Sequence, residues 1–119
     1  MVHSNAVGKL AELTRKIKDA GVNIYSLVAW VEEDTGHLLL VTDDNNKACS
    51  AMSDAVDTCE EDEAVYLKLP HEPGTLHGVA KTLSDKGIDI HMIYATTAEP
   101  GQAGVILSTS NNLQAAKLL

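Results

Sequence analysis

The sequence predicts an α+β fold made of two like units, each running strand, helix, strand, strand, helix. Three observations carry this. Residues 8–53 align with residues 74–119 at an offset of 66 without a gap. Nine of the 46 pairs are identical: Gly8/Gly74, Leu10/Leu76, Asp19/Asp85, Gly21/Gly87, Ile24/Ile90, Ala29/Ala95, Glu33/Glu99, Asn45/Asn111 and Asn46/Asn112. Each copy opens with a glycine and then places apolar residues at helical spacing. Each then continues into two β-branched runs separated by turn residues. A period above about 50 residues points to duplicated small domains rather than a solenoid.

The elements follow in order. Residues 1–4 are all that precedes the first turn, so the first strand of copy one is very short. Leu10, Leu13, Ile17 and Ala20 share one helical face, as do Leu76, Val79, Ala80 and Leu83 in copy two. Gly21 and Gly87 end these helices, and Pro73 suits the start of the second one. "VNIYSLVAWV" (22–31) and "IDIHMIYATT" (88–97) read as strands, as do "LLLVT" (38–42) and "GVILST" (104–109). "TGH" at 35–37 and "PGQ" at 100–102 supply turn chemistry, so each pair reads as a hairpin, with His37 in the connection and solvated. Asn45 and Asn111 are placed to cap a second helix. Its apolar face in copy one is Ala48, Ala51, Met52, Ala55 and Val56. "AVYLKL" (64–69) alternates and reads as the first strand of copy two.

With a closing strand each unit would be βαββαβ, a ferredoxin-like sandwich with two helices on one face of an antiparallel sheet. The units divide as 1–60 and 61–119. Copy two stops inside its second helix, and the acidic run at 57–63 leaves little room for a closing strand in copy one. The unpaired edges this leaves predict tight pairing between copies and between chains.

Composition excludes several function classes. Seventeen acids against nine bases give a net charge of −8, aromatics are 3 % and phenylalanine is absent. Nucleic-acid binding needs a basic face and stacking aromatics, and an anionic membrane surface repels such a chain. No apolar run approaches the ~20 residues of a membrane span, and the N-terminus has no signal-peptide pattern. Cys49 and Cys59 form no CxxC and have no matching histidines, so neither a zinc site nor a redox dithiol is indicated, and Cys49 reads as a core thiol. The expected location is cytoplasmic. No nucleophile with a base at recognisable spacing and no phosphate loop is present, so the chain reads as a non-enzyme without cofactor or metal.

"NAVGKLAELTRKIKDAGVNI" and "HEPGTLHGVAKTLSDKGIDI" resemble the opening of the ACT domain: a strand, an Asn-x-Pro-Gly-like turn, a leucine-rich helix, then Gly-Val/Ile-Asn-Ile into the second strand. The resemblance covers both copies and is similar to small proteins made of two ACT domains without a catalytic domain. It implies ligand sensing. Such domains commonly bind amino acids or other small metabolites where two domains pack together, between the turn before the first helix and the start of the second strand. Carried onto this sequence, the residues implied are His3, Asn5, Val7, Gly8, Asn23 and Ile24 in copy one. In copy two they are His71, Gly74, Asp89 and Ile90. Copy one matches the His-x-Asn pattern through His3 and Asn5 but has Val7 where the family has proline. Copy two keeps Pro73-Gly74 but has His71 for the Asn, Leu69 for the His and Asp89 for the second Asn, so copy one is the better amino-acid site.

The chemistry is consistent with that implication. A zwitterion needs N–H donors for its carboxylate and oxygen acceptors for its ammonium. A helix start offers unpaired N–H groups, a glycine admits close approach, and asparagine both donates and accepts. Plainer roles stand beside these: turn glycines at 8 and 74, local backbone bonds for Asn23 and Asp89, and a terminal His3 without function. The expected function is a non-catalytic regulatory protein that binds an amino acid or similar metabolite at a domain or subunit interface. The expected assembly is a homo-oligomer, a dimer first. The alternatives are a ligand-free oligomerisation module and a regulatory fragment of a larger amino-acid-metabolism enzyme.

Overall fold

The computed structural model describes the backbone of residues 1–119 and every side chain except that of Ala98. The chain divides into two compact units, Met1–Glu61 and Asp62–Leu119. In the first, β1 (Val2–Ser4), α1 (Lys9–Asp19), β2 (Ile24–Glu32), β3 (Thr35–Thr42) and α2 (Asn45–Met52) follow one another. In the second, β4 (Val65–Pro70), α3 (Thr75–Asp85), β5 (Ile90–Glu99), β6 (Gln102–Thr109) and α4 (Asn112–Leu118) repeat that order. Each unit has one antiparallel three-stranded sheet, ordered β1-β3-β2 and β4-β6-β5. The fold is thus α+β and ferredoxin-like in both halves, as the sequence predicts.

Each core lies between its sheet and both of its helices. Leu13 and Ile17 of α1 and Ala48 and Met52 of α2 bury against Leu38, with Leu27 and Leu40 packed alongside. Leu38 and Leu40 alternate along β3, so both helices cover the same sheet face. In the second unit Val79 and Leu83 of α3 and Ala115 of α4 meet Val65, Val105 and Leu107. The predicted helical faces are narrower than the sequence suggests, since Leu10 and Leu76 are 46 % and 50 % exposed. Ala80 is exposed too. Both leading helices end alike. Val22 N–H bonds the Ile17 carbonyl and Gly21 N–H that of Lys18, and Ile88 and Gly87 repeat the pattern on Leu83 and Ser84. This is a Schellman ending, with Val22 and Ile88 turned into the cores.

The structure corrects the 66-residue alignment. β2 and β5 obey it: Ile24 pairs with Thr42 and Ile90 with Thr109, Trp30 with His37 and Thr96 with Gly104. Their partners on β3 and β6 are already 67 apart. The pairing of β5 with β6 slips between Thr96 and Glu99, where two residues stand in place of the single Val31 of β2. A bulge of this kind inserts one residue into one strand. Beyond it the structural equivalents are Leu38/Val105, Leu40/Leu107, Thr42/Thr109, Asn45/Asn112 and Ala48/Ala115, not the Glu33/Glu99 and paired Asn-Asn matches of the sequence.

Three further expectations change. "TGH" is not a turn: Thr35, Gly36 and His37 lie in β3, and the reversal falls at Glu33 and Asp34, with Glu33 at φ 54°. His37 stacks on Trp30, ring centroids 5.0 Å apart and planes 9° off parallel. The cap of α2 is Asp44, whose carboxylate accepts from Lys47 N–H, while Asn45 opens the helix and accepts from Thr42 Oγ1 at 2.6 Å. Asn111 does cap α4, accepting from Gln114 N–H. Finally, Cys49 is bonded to Cys59. The disulfide ties α2 to the segment behind it, so Cys49 is no core thiol and the cysteine argument for location falls away.

That segment partly occupies the position of the missing fourth strand. Thr58 forms an antiparallel bridge with Val2, and Asp57 N–H bonds the Val2 carbonyl at 2.7 Å. Among the described residues no helix is long and apolar enough to cross a membrane.

Candidate functional site

The chain path separates the predicted site residues into two groups per unit. β1 leads up to the turn before α1, and α1 then carries the chain to the start of β2. Eleven residues of helix span about 16 Å. His3, Asn5, Val7 and Gly8 therefore lie at one end of the first unit, and Asn23 and Ile24 at the other. His71 and Gly74 are separated from Asp89 and Ile90 in the same way by α3. The single cradle expected from the sequence, helix start beside strand start, does not form within a unit, because the helix stands between its two halves.

At the turn end of the first unit, His3 is 92 % buried, with 8 % of its surface exposed. It faces Gly36, its pairing partner on β3, and its ring fills the space where any Cβ at position 36 would sit. Nδ1 lies 3.0 Å from the Ser4 carbonyl. A carbonyl only accepts, so Nδ1 carries the proton, and in the neutral ring Nε2 is the acceptor. His3 is thus ordered and packed, not a loose terminal residue. Asn5 donates its backbone N–H to the Asp34 carbonyl at 2.8 Å, leaving its side-chain amide exposed. Val7 is fully exposed.

Gly8 stands at the start of α1 with φ 84°, and Gly74 at the start of α3 with φ 91°. Neither helix start has a side-chain cap, whereas α2 and α4 are capped by Asp44 and Asn111. Nothing lies within 4 Å of the position a Cβ would take at either glycine. The first amide of each helix is taken by its turn, Lys9 N–H by the Ala6 carbonyl and Thr75 N–H by the Glu72 carbonyl, and the next two amides of each start lack intrahelical partners. In the second unit His71 donates its backbone N–H to the Gly101 carbonyl, and its Nδ1 is 3.3 Å from Thr97 Oγ1. Thr75 Oγ1 ties the turn to the Pro70 carbonyl at 2.8 Å.

At the strand-start end, Asn23 and Asp89 have matched backbone settings. Asn23 N–H donates to Asp43 Oδ1 at 3.0 Å, and Asp89 N–H to Ser110 Oγ at 2.9 Å. Both side chains remain exposed. Ile24 is half-buried and packs against the core. Ile90 packs inward as well, but it also borders an open groove of about 420 Å³ with Ala80, Ser84, Gly87, Ile88 and Asp89. Ala80, expected on the buried helical face, lines this groove instead, with Ser84 one turn on. The signal was present, because positions 80, 84 and 87 are small residues at helical spacing. The Asp89 carboxylate lies 3.6 Å from His91 Nε2. Among the described residues no three His, Cys, Asp or Glu side chains are grouped to hold a metal ion.

No protein-family model and no curated protein matches the chain. Solved structures do. The crystal structure of protein BT0572 from Bacteroides thetaiotaomicron is similar at a TM-score of 0.84 and 28 % identity, covering 99 % of this chain and 81 % of that one. The crystal structure of aspartokinase alpha and beta subunits is similar at a TM-score of 0.71 and 14 % identity, covering 98 % and 85 %. The second likeness, at its low identity, is one of fold.

Proposed function

We propose that the chain is a non-catalytic regulatory protein of the ACT type, built from two such units, that binds an amino acid or a similar small polar metabolite. One observation carries the reading. The leading helix of each unit starts on a left-handed glycine, uncapped and facing open space, while the second helix of each unit is closed by its own Asp or Asn. The fold shared with aspartokinase subunits supports it, as does the resemblance of both opening segments to the ACT pattern.

The carboxylate of the ligand sits against the Leu10 and Ala11 amides of α1, which precede the first intrahelical bond, where the dipole favours negative charge. The exposed side-chain amide of Asn5 flanks it as a donor, with the packed ring of His3 behind the turn. The ammonium is met at a strand-start end by Asn23. Because these ends lie on opposite sides of a unit, the complete site is shared with a second subunit, and binding biases that pairing. A homodimer in the cytoplasm goes with this reading, without nucleic acid or membrane as partner.

Calorimetric titration with the twenty amino acids is the test. One or a few should bind saturably, and Asn5→Ala and Asn23→Ala should each abolish the heat while leaving the thermal midpoint of the free protein within a degree or two. No heat from any amino acid would overturn the reading.

A second reading has its own support. Each sheet stops at three strands, and the outer edge of β1 is met only by Asp57 and Thr58 among the described residues. Open edges recruit strands, so an assembly module without ligand is the competitor. Sedimentation decides it: tight self-association indifferent to every metabolite favours the module.

A further inference from the structure

We propose that Cys49 and Cys59 form a reversible redox latch that holds the segment behind α2 onto the edge of β1. The inference holds whether or not the chain binds a metabolite. The pieces are a disulfide, a short strap and a strand edge. The disulfide links residues ten apart in sequence, with Cα atoms 5.9 Å apart, and both cysteines are partly exposed. The strap between them leaves α2 at Met52 and reaches Val2 at residues 57 and 58 through three backbone bonds of 2.7–3.4 Å. Its other ties are weak. The Lys16–Asp54 ion pair is solvent-exposed on the Asp54 side, and Ala55 and Val56 are only partly buried. No full strand covers the outer edge of β1, which is three residues long and carries His3. The disulfide is therefore the one covalent restraint on the segment that shields this edge.

Opening the latch needs a dithiol reductant. Its thiolate attacks one sulfur, the Cys49–Cys59 bond breaks, and a mixed disulfide forms. The second thiol of the reductant resolves that intermediate and leaves as a cyclic disulfide, and with its two electrons and two protons both cysteines become thiols. Partial exposure of both cysteines permits the attack. In the reduced protein the strap keeps its hydrogen bonds but loses the loop constraint, so it leaves the β1 edge more often.

The test uses the full chain, oxidised with glutathione disulfide or reduced with dithiothreitol. Thiol alkylation read by mass should find no free thiols in the first state and two in the second. Hydrogen exchange of the Val2 and Asp57 amides should be about tenfold to a hundredfold faster when reduced, comparable to the constraint a cross-link of this loop length supplies. Amides in the middle of α1 should be unchanged. The Cys49→Ser/Cys59→Ser variant should exchange like the reduced chain and ignore the redox reagents. Free thiols that persist under glutathione disulfide, or equal exchange in both states, would overturn the proposal. So would loss of protection throughout α1 on reduction, which would mark the disulfide as a staple of the whole unit rather than a latch.

Discussion

His3 and Gly36 show how one residue's absent side chain places another's ring. The two are cross-strand partners, and the imidazole occupies the volume a Cβ at 36 would need. Gly36→Ala therefore forces the ring out of place, at about 1–3 kcal/mol as for other overpacked cores. His3→Ala removes the obstacle, so the double variant should cost clearly less than the sum of the single ones. Urea unfolding of the four proteins measures that coupling. Gly8 and Gly74 need glycine for a different reason. Their surroundings are empty but their φ is positive, so Gly8→Ala costs about 1–2 kcal/mol of backbone strain alone and Gly8→Asn less. A uniform loss for both replacements would contradict this. Charge acts at the same scale at Asp54, where the hydrogen bond from Lys16, with its charge, holds the carboxyl below the ordinary value. A depressed carboxyl stabilises the fold above its unfolded value, and that contribution disappears as pH falls through the lowered value. Asp54→Asn should thus lower the thermal midpoint slightly at neutral pH and leave it unchanged in strong acid, below both values. An equal loss at both pH values would assign the effect to shape rather than charge.

Among the elements, the helices were legible and the hairpins only partly so. Leu13, Ile17, Val79 and Leu83 recur at helical spacing and all are buried, because a 3.6-residue period survives any detail of the turns. The hairpin reversal was misread because "TGH" has turn composition, while the actual turn uses Glu33 in a left-handed conformation. The bulge in β5 was invisible for a related reason: the Asn-Asn pairs match at 66, although pairing of the sheet makes the offset 67. Asp44 and Asn111 are the equivalents that result, and each closes its helix by accepting an amide hydrogen bond. Asp44→Ala and Asn111→Ala should each cost about 1 kcal/mol in chemical unfolding. If Asp44→Ala cost nothing while Asn45→Ala proved as costly as Asn111→Ala, the 66-residue offset would be the right one. The disulfide was missed because cysteines ten apart match no motif. Only the fold shows that the chain leaving α2 returns past it toward β1. The candidate site is legible only in part: its residues are named by sequence, but the helix length that parts them enters only through topology.

For the molecule as a whole, that separation makes a prediction stronger than ligand binding itself. A ligand held by the turn end of one copy and the strand-start end of another is lost in any dimer whose two copies carry the same defect. Asn5→Ala and Asn23→Ala chains should each be silent in calorimetry. Refolded together, they form mixed dimers in which one site has both wild-type asparagines and the other has neither. Random pairing makes half the dimers mixed, and each keeps one intact site of two, so roughly a quarter of the wild-type binding capacity should return at unchanged affinity. Saturating ligand, at about a hundredfold above its dissociation constant, should then stabilise that fraction by about 2.7 kcal/mol, as it does the wild type. Silence of the mixture would mean that no site joins Asn5 of one copy to Asn23 of its partner. Single variants that still bind, with about three quarters of the capacity in the mixture, would mean that one asparagine suffices, and the argument from opposite ends would fail with it.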